Sequence, residues 1–286
     1  MIRGQQSVAV AVRRPDGGIE VEEQPLADIY KGRLRKWPLI RGVIVLIEAL
    51  VLGTKALMTS ARIASAEDEG EEISDWMLWG TVAVSLVLAV GIFFVIPLVV
   101  TNRFIYPYVE SSVLANVLEG LLRFVVFLLY LYLVGLMPDM RRVFAYHGAE
   151  HRVVNGYEAG VPLEVESMRG YSTAHTRCGT SFLLVVLIIA IIIFALLGKP
   201  PLWLGIISRI VLIPVIAALG YEYIRFGSAH HHNPLVRLLV LPGMALQSLT
   251  TREPDDKQVE TALYALKRVL EADAQVSRPS AEGAGS

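Results

Sequence analysis

The chain has 286 residues, a formal net charge of −1 and 54% hydrophobic residues, with a mean hydropathy of +0.52. This composition is too apolar for an ordinary soluble domain and predicts a membrane protein. No basic stripe with interleaved aromatic residues is present, so a nucleic-acid partner is not expected. Cys178 is the one cysteine of the sequence, which excludes an internal disulfide bond.

The N-terminal segment, residues 1–36, is polar and contains a predicted β-hairpin over Ser7–Glu23. Valines alternate with small residues from Val8 to Val12, and Pro15–Gly18 supplies the turn. An isolated hairpin is only marginally stable in water. We therefore expect it to pair with another extended segment, for which Leu163–Val165 is a candidate.

Residues 37–60 are apolar but carry Arg41, Glu48 and Lys55 at intervals of seven. This spacing places the three charged side chains in one polar stripe along the face of a helix. The segment is predicted to be an interfacial or re-entrant helix and not a fifth membrane span. The acidic residues 61–75 that follow are interpreted as a solvated linker.

Four apolar runs are long enough to cross a bilayer, which takes about 20 residues. The runs are Trp76–Val100, Gly120–Met137, Ser181–Leu197 and Leu202–Ile224. The first two form a helix pair over residues 76–137, and the last two form a hairpin over residues 181–224. Glu119, Arg123 and Arg209 lie in or next to these runs and must face the interior of the bundle.

If the chain crosses the membrane four times, most of its basic residues fall in the segments on one side of the membrane. By the positive-inside rule, both termini and the loop 138–180 are expected in the cytoplasm. Residues 225–275 form a cytoplasmic helical region, with an amphipathic helix after Thr251–Asp256. Its apolar face carries Val259, Leu263 and Leu266 and should dock on the cytoplasmic body or on the membrane surface. The tail, residues 276–286, is expected to be disordered.

The loop 138–180 contains a sequence typical of a metal-binding helix. The helix is predicted from Pro138 to Glu158 and places His147 and His151 four residues apart on one face. Together with Glu150 they have the H-x-x-E-H order of inverted zinc proteases, in which the carboxylate is the general base. Gly148 has no side chain and would let another segment approach closely.

A second ligand pair, His175 and Cys178, follows about 24 residues later and has a spacing that lets a turn present both side chains to one ion. The alternative is a buried thiol beside a hydrogen-bonded histidine. Glu222, near the end of the fourth run, is a candidate distal ligand, since a carboxylate at the hydrocarbon needs a partner. Its alternative is an ion pair with Arg225 or Arg209.

Several motifs resemble the YqhQ-like family of bacterial membrane proteins over nearly the whole chain. They are Arg142–His151, Tyr157–Gly160, Arg177–Phe182, Pro242–Gly243 and Leu249–Asp256. The resemblance implies a bacterial inner-membrane protein with a metal site at His147, Glu150, His151, His175 and Cys178, but it supplies no reaction. The family usually has His-Pro-Arg-Cys where this chain has a threonine after His175, which leaves the ligands intact.

The sequence thus predicts a mainly α-helical, polytopic membrane protein with about four transmembrane helices, interfacial or amphipathic helices and a small N-terminal β-hairpin. The leading hypothesis is a zinc-dependent hydrolase. In it Glu150 is the catalytic base, the ligands come from His147, His151, His175, Cys178 and Glu222, and the substrate is a membrane protein or a lipid ester. One alternative is a scaffold with a closed structural zinc, and another is an Fe²⁺-dependent oxygenase. The expected partners are the lipid bilayer and the substrate, and a homo-oligomer is compatible with the sequence.

Overall fold

The computed structural model describes residues 1–64, 75–198, 200–230 and 232–277. Most of the linker predicted over 61–75 and most of the tail predicted over 276–286 lie outside these residues. The structure is mainly α-helical with one small antiparallel sheet, as predicted. In chain order the helices are α1 (Ile40–Ala64), α2 (Asp75–Val90), α3 (Ile96–Phe104), α4 (Ser112–Val134), α5 (Pro138–Glu158), α6 (Val165–Met168), α7 (Gly179–Leu196), α8 (Leu202–Val211), α9 (Ile213–Ala229), α10 (Pro234–Thr250) and α11 (Asp256–Ser277).

The sheet has the strand order β1 (Ile2–Arg3), β2 (Ser7–Arg13) and β3 (Ile19–Pro25). The predicted hairpin is confirmed by the pairing of β2 with β3. The expected third strand at Leu163–Val165 is wrong, because β1 takes that position through a tight turn and Val165 begins α6. Leu163 and Val165 instead pack their side chains against the hydrophobic cluster that includes Ala9.

The sheet and two polar helices form one hydrophobic core. Buried residues of β2, α5 and α11, such as Ala9, Val153 and Val259, meet in this cluster. The predicted apolar face of α11 is confirmed, since Leu263 and Leu266 are buried in it as well. We call the sheet, α5, α6 and α11 the polar unit. It holds the predicted metal-binding helix, whose observed bounds equal the predicted ones.

Within the described residues, four helical segments are long and apolar enough to cross a membrane. They are Ile40–Ile63, Trp79–Phe104, Ser112–Val134 and Gly179–Leu196. The second runs from α2 into α3 through a π-helical turn over Gly91–Val95. The fourth predicted run is divided into α8 and α9, which meet at 43° and together form a fifth candidate. The interfacial placement of residues 37–60 stays a prediction, because length and apolar character also allow α1 to span.

Candidate metal centre

The two histidines of α5 lie side by side, with ring centroids 4.4 Å apart. His147 Nδ1 lies 2.9 Å from the carbonyl oxygen of Thr250, and His151 Nδ1 lies 2.7 Å from that of Thr173. A carbonyl only accepts, so each ring donates Nδ1–H to it, and Nε2 is the nitrogen that remains for a further partner or an ion. This is the arrangement that orients histidine ligands in metal sites.

Gly148 brings the Thr250 carbonyl to His147. The chain after α10 crosses α5 at this glycine, and Arg252 N donates a 2.9 Å hydrogen bond to the Phe144 carbonyl. A Cβ atom at position 148 would collide with the carbonyl oxygen of Arg252. The predicted close approach at Gly148 is therefore confirmed, and it sets the orientation of the adjacent histidine.

Cys178 completes a group of three ligands. Its sulfur caps the N-terminus of α7, where the Thr180 amide approaches it at 3.4 Å, and lies 3.3 Å from His147 Nε2. Ligand atoms of His147, His151 and Cys178 all lie within 4.8 Å of one another. One ion can therefore contact all three side chains after small adjustments of the Nε2 and Sγ positions.

The electrostatics of this group favour a thiolate. Burial alone would raise the pKa of the Cys178 thiol, but hydrogen bonds from His147 and His151 lower the pKa to about 5. Burial alone would likewise lower the pKa of His147, but its bond to the Cys178 sulfur raises the pKa above its usual value. Thiolate is the form of cysteine that binds metals, so the group is prepared for a cation.

The loop before Cys178 is held to α5 and α10 by residues that sequence reasoning missed. Asn155 donates to the carbonyls of Ser172 and Ala174 at 2.9 and 3.0 Å. Gln247, which is completely buried, accepts from His175 N at 2.9 Å and donates to His175 O at 2.8 Å. The polar Gln247 within the apolar run of α10 was the available signal, because a buried amide must be hydrogen-bonded.

His175 lies next to the ligand group but is not part of it. Its ring centroid is 5.9 Å from that of His151, and its Nε2 lies 3.4 Å from a Glu158 carboxylate oxygen. Burial lowers the pKa of His175, and the attraction of Glu158 only partly opposes this. In the described structure His175 is thus a neutral neighbour of the cluster.

Glu150 and Glu222 have different surroundings. Glu150 lines a cavity of about 630 Å³ together with His147, and its carboxylate lies 3.5 Å from the amino group of Met1.

Glu222 is bonded to Arg41 of α1 and to the Leu39 amide, so the structure does not bring it to the ligand group. Neither predicted alternative partner of Glu222 was correct. Arg209 pairs with Glu119 instead, and the pairing with Arg41 joins residues too far apart to be read from the sequence.

The donor set fits a zinc ion. Two imidazole nitrogens and one thiolate are typical ligands of Zn²⁺. Among the residues that the structure describes, His147, His151 and Cys178 are the group that gathers at ligand distance. Catalytic zinc sites use three protein ligands and leave the fourth position to water or substrate, whereas structural sites use four.

Fold and site together define a helical membrane protein with a polar unit. A histidine–cysteine cluster lies where α5 of this unit meets the start of the apolar helix α7. The family model described as "Protein of unknown function (DUF1385)" matches residues 37–272. "Uncharacterized protein YqhQ" of Bacillus subtilis (strain 168) is 33% identical over 296 residues, which cover 98% of this chain and 93% of the relative. The chain belongs to this YqhQ-like, DUF1385 family, as its motifs predicted. No solved structure matches the chain.

Proposed function

We propose that this protein is an integral-membrane, zinc-dependent hydrolase. The observation that carries the proposal is the ligand group His147, His151 and Cys178, in which the carbonyl contacts of Nδ1 leave Nε2 of each ring as the nitrogen that can bind an ion. Three protein ligands leave a fourth tetrahedral position, which is the arrangement of catalytic zinc sites. The cavity of about 630 Å³ that His147 and Glu150 line supplies space for a substrate.

Zinc at this position would supply Lewis acidity, which lowers the pKa of a water molecule to about 7. Glu150 is the proposed general base, because its carboxylate faces the same cavity as His147. His175, adjacent to His151 and outside the ligand group, is the proposed group that stabilises the developing oxyanion. The proposed substrate is a peptide bond of a membrane protein or a lipid ester.

A structural zinc is the second candidate, since His175 is close enough to His151 for a change of its side-chain torsions to bring a fourth ligand. A closed site would make the protein a scaffold or a partner-binding module. Iron-dependent oxygenases use two histidines and a carboxylate. Here the third ligand is the sulfur of Cys178, so the donor set supports zinc over iron.

We also propose that the polar unit lies on the cytoplasmic side of a bacterial inner membrane. The basic residues of the segments 1–36 and 138–180 support this side by the positive-inside rule. The hydrophobic cluster joins both segments to α11. The N-terminal sheet, the metal centre and the C-terminal helix therefore share one side.

The test is the metal content of the detergent-purified protein, measured by elemental mass spectrometry. We expect about one zinc per chain, lost in His147→Ala and Cys178→Ser and kept in the matched carboxylate variants Glu150→Gln and Glu222→Gln. Zinc retained in His175→Ala together with binding of a hydroxamate would support an open site. Zinc lost in His175→Ala would support the structural alternative, and absence of metal from every preparation would overturn both.

Once a substrate is found, Glu150→Gln tests the proposed base separately from the metal. The variant should keep its zinc and lose about 10²–10⁴-fold in kcat, the usual contribution of a positioned general base. Glu222→Gln is the control, because Glu222 pairs with Arg41 away from the ligand group. Full activity in Glu150→Gln with zinc bound would show that another group takes the proton.

A further inference from the structure

Helix α10 presents an apolar face that the rest of the described chain does not cover. Four of its leucines have between 47% and 72% of their surface exposed, namely Leu235, Leu238, Leu239 and Leu241. Arg237 is the one charged residue of this helix. Single exposed leucines are ordinary, but four within about two turns of one helix indicate a contact surface.

The buried face of α10 packs on the ends of other apolar helices. Ser181, in the first turn of α7, donates to the Gly243 carbonyl at 2.9 Å. Leu246 shares a hydrophobic cluster with Leu131, in the last turn of α4. Near the end of α9, the hydroxyl of Tyr223 donates to a carbonyl of α10 at 3.0 Å. These contacts show that α10 lies across the ends of the three helices and not along them.

These helix ends lie beside the polar unit. Helix α4 ends at Val134 and α5 begins at Pro138, while the candidate ligand Cys178 directly precedes α7. With 17 residues, α10 is about 25 Å long, which is less than the hydrocarbon thickness of about 30 Å. Position and length therefore favour a helix at the membrane surface over a further span.

The exposed surface of α10 is divided into two strips. Leu238 and Ala245 are seven residues apart, about two turns, and lie on one apolar strip. Arg237 and Ser248 are eleven residues apart, about three turns, and lie on a polar strip about 100° from the first. A packed face, an apolar strip and a polar strip are expected of an amphipathic helix that lies in the plane of the membrane.

We propose that α10 is an in-plane membrane helix whose leucines lie among the acyl chains of the leaflet beside the polar unit. Exposed apolar side chains in the last turns of α4 and α9, such as Leu133 and Phe226, place other lipid-facing groups at the same depth. Arg237, on the polar strip, then reaches the lipid phosphates. The partner of this surface is the bilayer.

The same helix sets the depth of the candidate metal centre. Gln247 bonds to the main chain of His175, and the Thr250 carbonyl accepts from His147. Both contacts come from the last turn of α10, so the centre lies at the level of the lipid head groups. This inference goes beyond the proposed function, because the position of α10 is the same for a catalytic and for a structural ion.

The test measures the membrane depth of nitroxide labels on single introduced cysteines, with the full-length protein in vesicles of phosphatidylcholine and phosphatidylglycerol. Power saturation of the electron paramagnetic resonance signal compares O₂, which enters the hydrocarbon, with a water-soluble nickel chelate. We expect Leu238→Cys and Ala245→Cys to lie below the phosphates at depths that agree within about 5 Å, one helical turn. The control Ser248→Cys, on the polar strip, should lie at the head groups and be accessible to nickel.

The labelled positions are exposed, so the packed face of α10 stays intact, and the unlabelled background is low because Cys178 is buried. A depth difference of about 10 Å between Leu238→Cys and Ala245→Cys would mean that α10 runs into the bilayer and would overturn the inference. Nickel access at Leu238→Cys equal to that at Ser248→Cys would place this face in water. Protection of Leu238→Cys from both reagents would show that a second protein copy covers it, and either result would also overturn the inference.

Discussion

At the residue scale, main-chain groups fix the orientation of the two histidines in the candidate metal centre. The carbonyls of Thr250 and Thr173 accept the Nδ1–H of the two rings, so Nε2 is the nitrogen that can bind an ion. They reach α5 because Gly148 has no side chain and because Asn155 holds the loop before Cys178. The candidate ligands are recognisable in the sequence, but these carbonyl contacts are not, since any residue type can supply a carbonyl.

The thiol of Cys178 gives a residue-scale prediction about pH in the metal-free protein. Its pKa is lowered to about 5 in the folded chain, against about 8.5 for a free cysteine. We expect the ultraviolet absorbance of the thiolate to titrate with a midpoint near 5 in the folded protein and near 8.5 in denaturant. Because the folded pKa is the lower one, the thiolate contributes stability that is full above about pH 8.5 and is lost as the pH falls through about 5.

Cys178 is the one cysteine of the chain, so Cys178→Ser supplies a clean baseline for this titration. His147→Ala should move the midpoint upward, because it removes a hydrogen bond that lowers the pKa of the thiol. A folded, metal-free midpoint that stays near 8.5 would show that the histidines do not contact the sulfur as described.

At the element scale, the membrane helices are interrupted where they contact a buried ionic group. Glu119 accepts from Arg123 at 2.6 Å and from Arg209 at 2.9 Å, and all three residues are almost completely buried. The π-helical turn leaves the Phe93 carbonyl to accept from Arg123 Nε at 2.8 Å. Arg209 precedes the 43° bend between α8 and α9. The predicted inward orientation of these charges is therefore confirmed.

Replacing Glu119 by Gln should destabilise the protein strongly. Both guanidinium groups would remain buried without a carboxylate, and breaking a buried ion pair in this way costs about 3–5 kcal/mol. Glu222→Gln is the matched control, because the pair of Glu222 with Arg41 is partly exposed and should be worth about 1 kcal/mol or less. The measurement is the thermal unfolding midpoint of both variants in the same detergent, and equal shifts would contradict the prediction.

The sequence predicted elements well where local chemistry determines them. Pro138 correctly predicted the start of α5, and the alternating valines correctly predicted the hairpin formed by β2 and β3. It failed where long-range packing decides. The short strand β1 has too few residues to show a pattern. The bend after Val211 is of the local kind, because Pro214 at the start of α9 has no N–H to continue the hydrogen bonds of α8.

At the scale of the whole molecule, the packing of the polar unit restricts how the chain can cross a membrane. The sheet and α5 share one hydrophobic cluster, so they lie on the same side. The number of crossings between them must then be even, yet α1, the α2–α3 segment and α4 are all apolar and long enough. We therefore predict that at least one of the three does not cross. The middle of α1 is the part in contact with the sheet, since Glu48 accepts from Arg3 Nε at 2.8 Å.

This parity argument predicts that α1 lies along the polar unit while α2–α3 and α4 cross. Single cysteines introduced at the exposed positions Arg14, Arg62 and Tyr108 would report the side of the sheet, of the end of α1 and of the turn between α3 and α4. With a membrane-impermeant maleimide, Arg14→Cys and Arg62→Cys should react in vesicles of one orientation and Tyr108→Cys in vesicles of the other. The parent chain supplies the background, because its own cysteine is buried. Reaction of Arg62→Cys in the vesicles in which Arg14→Cys is protected would mean that α1 crosses the bilayer and would contradict the prediction.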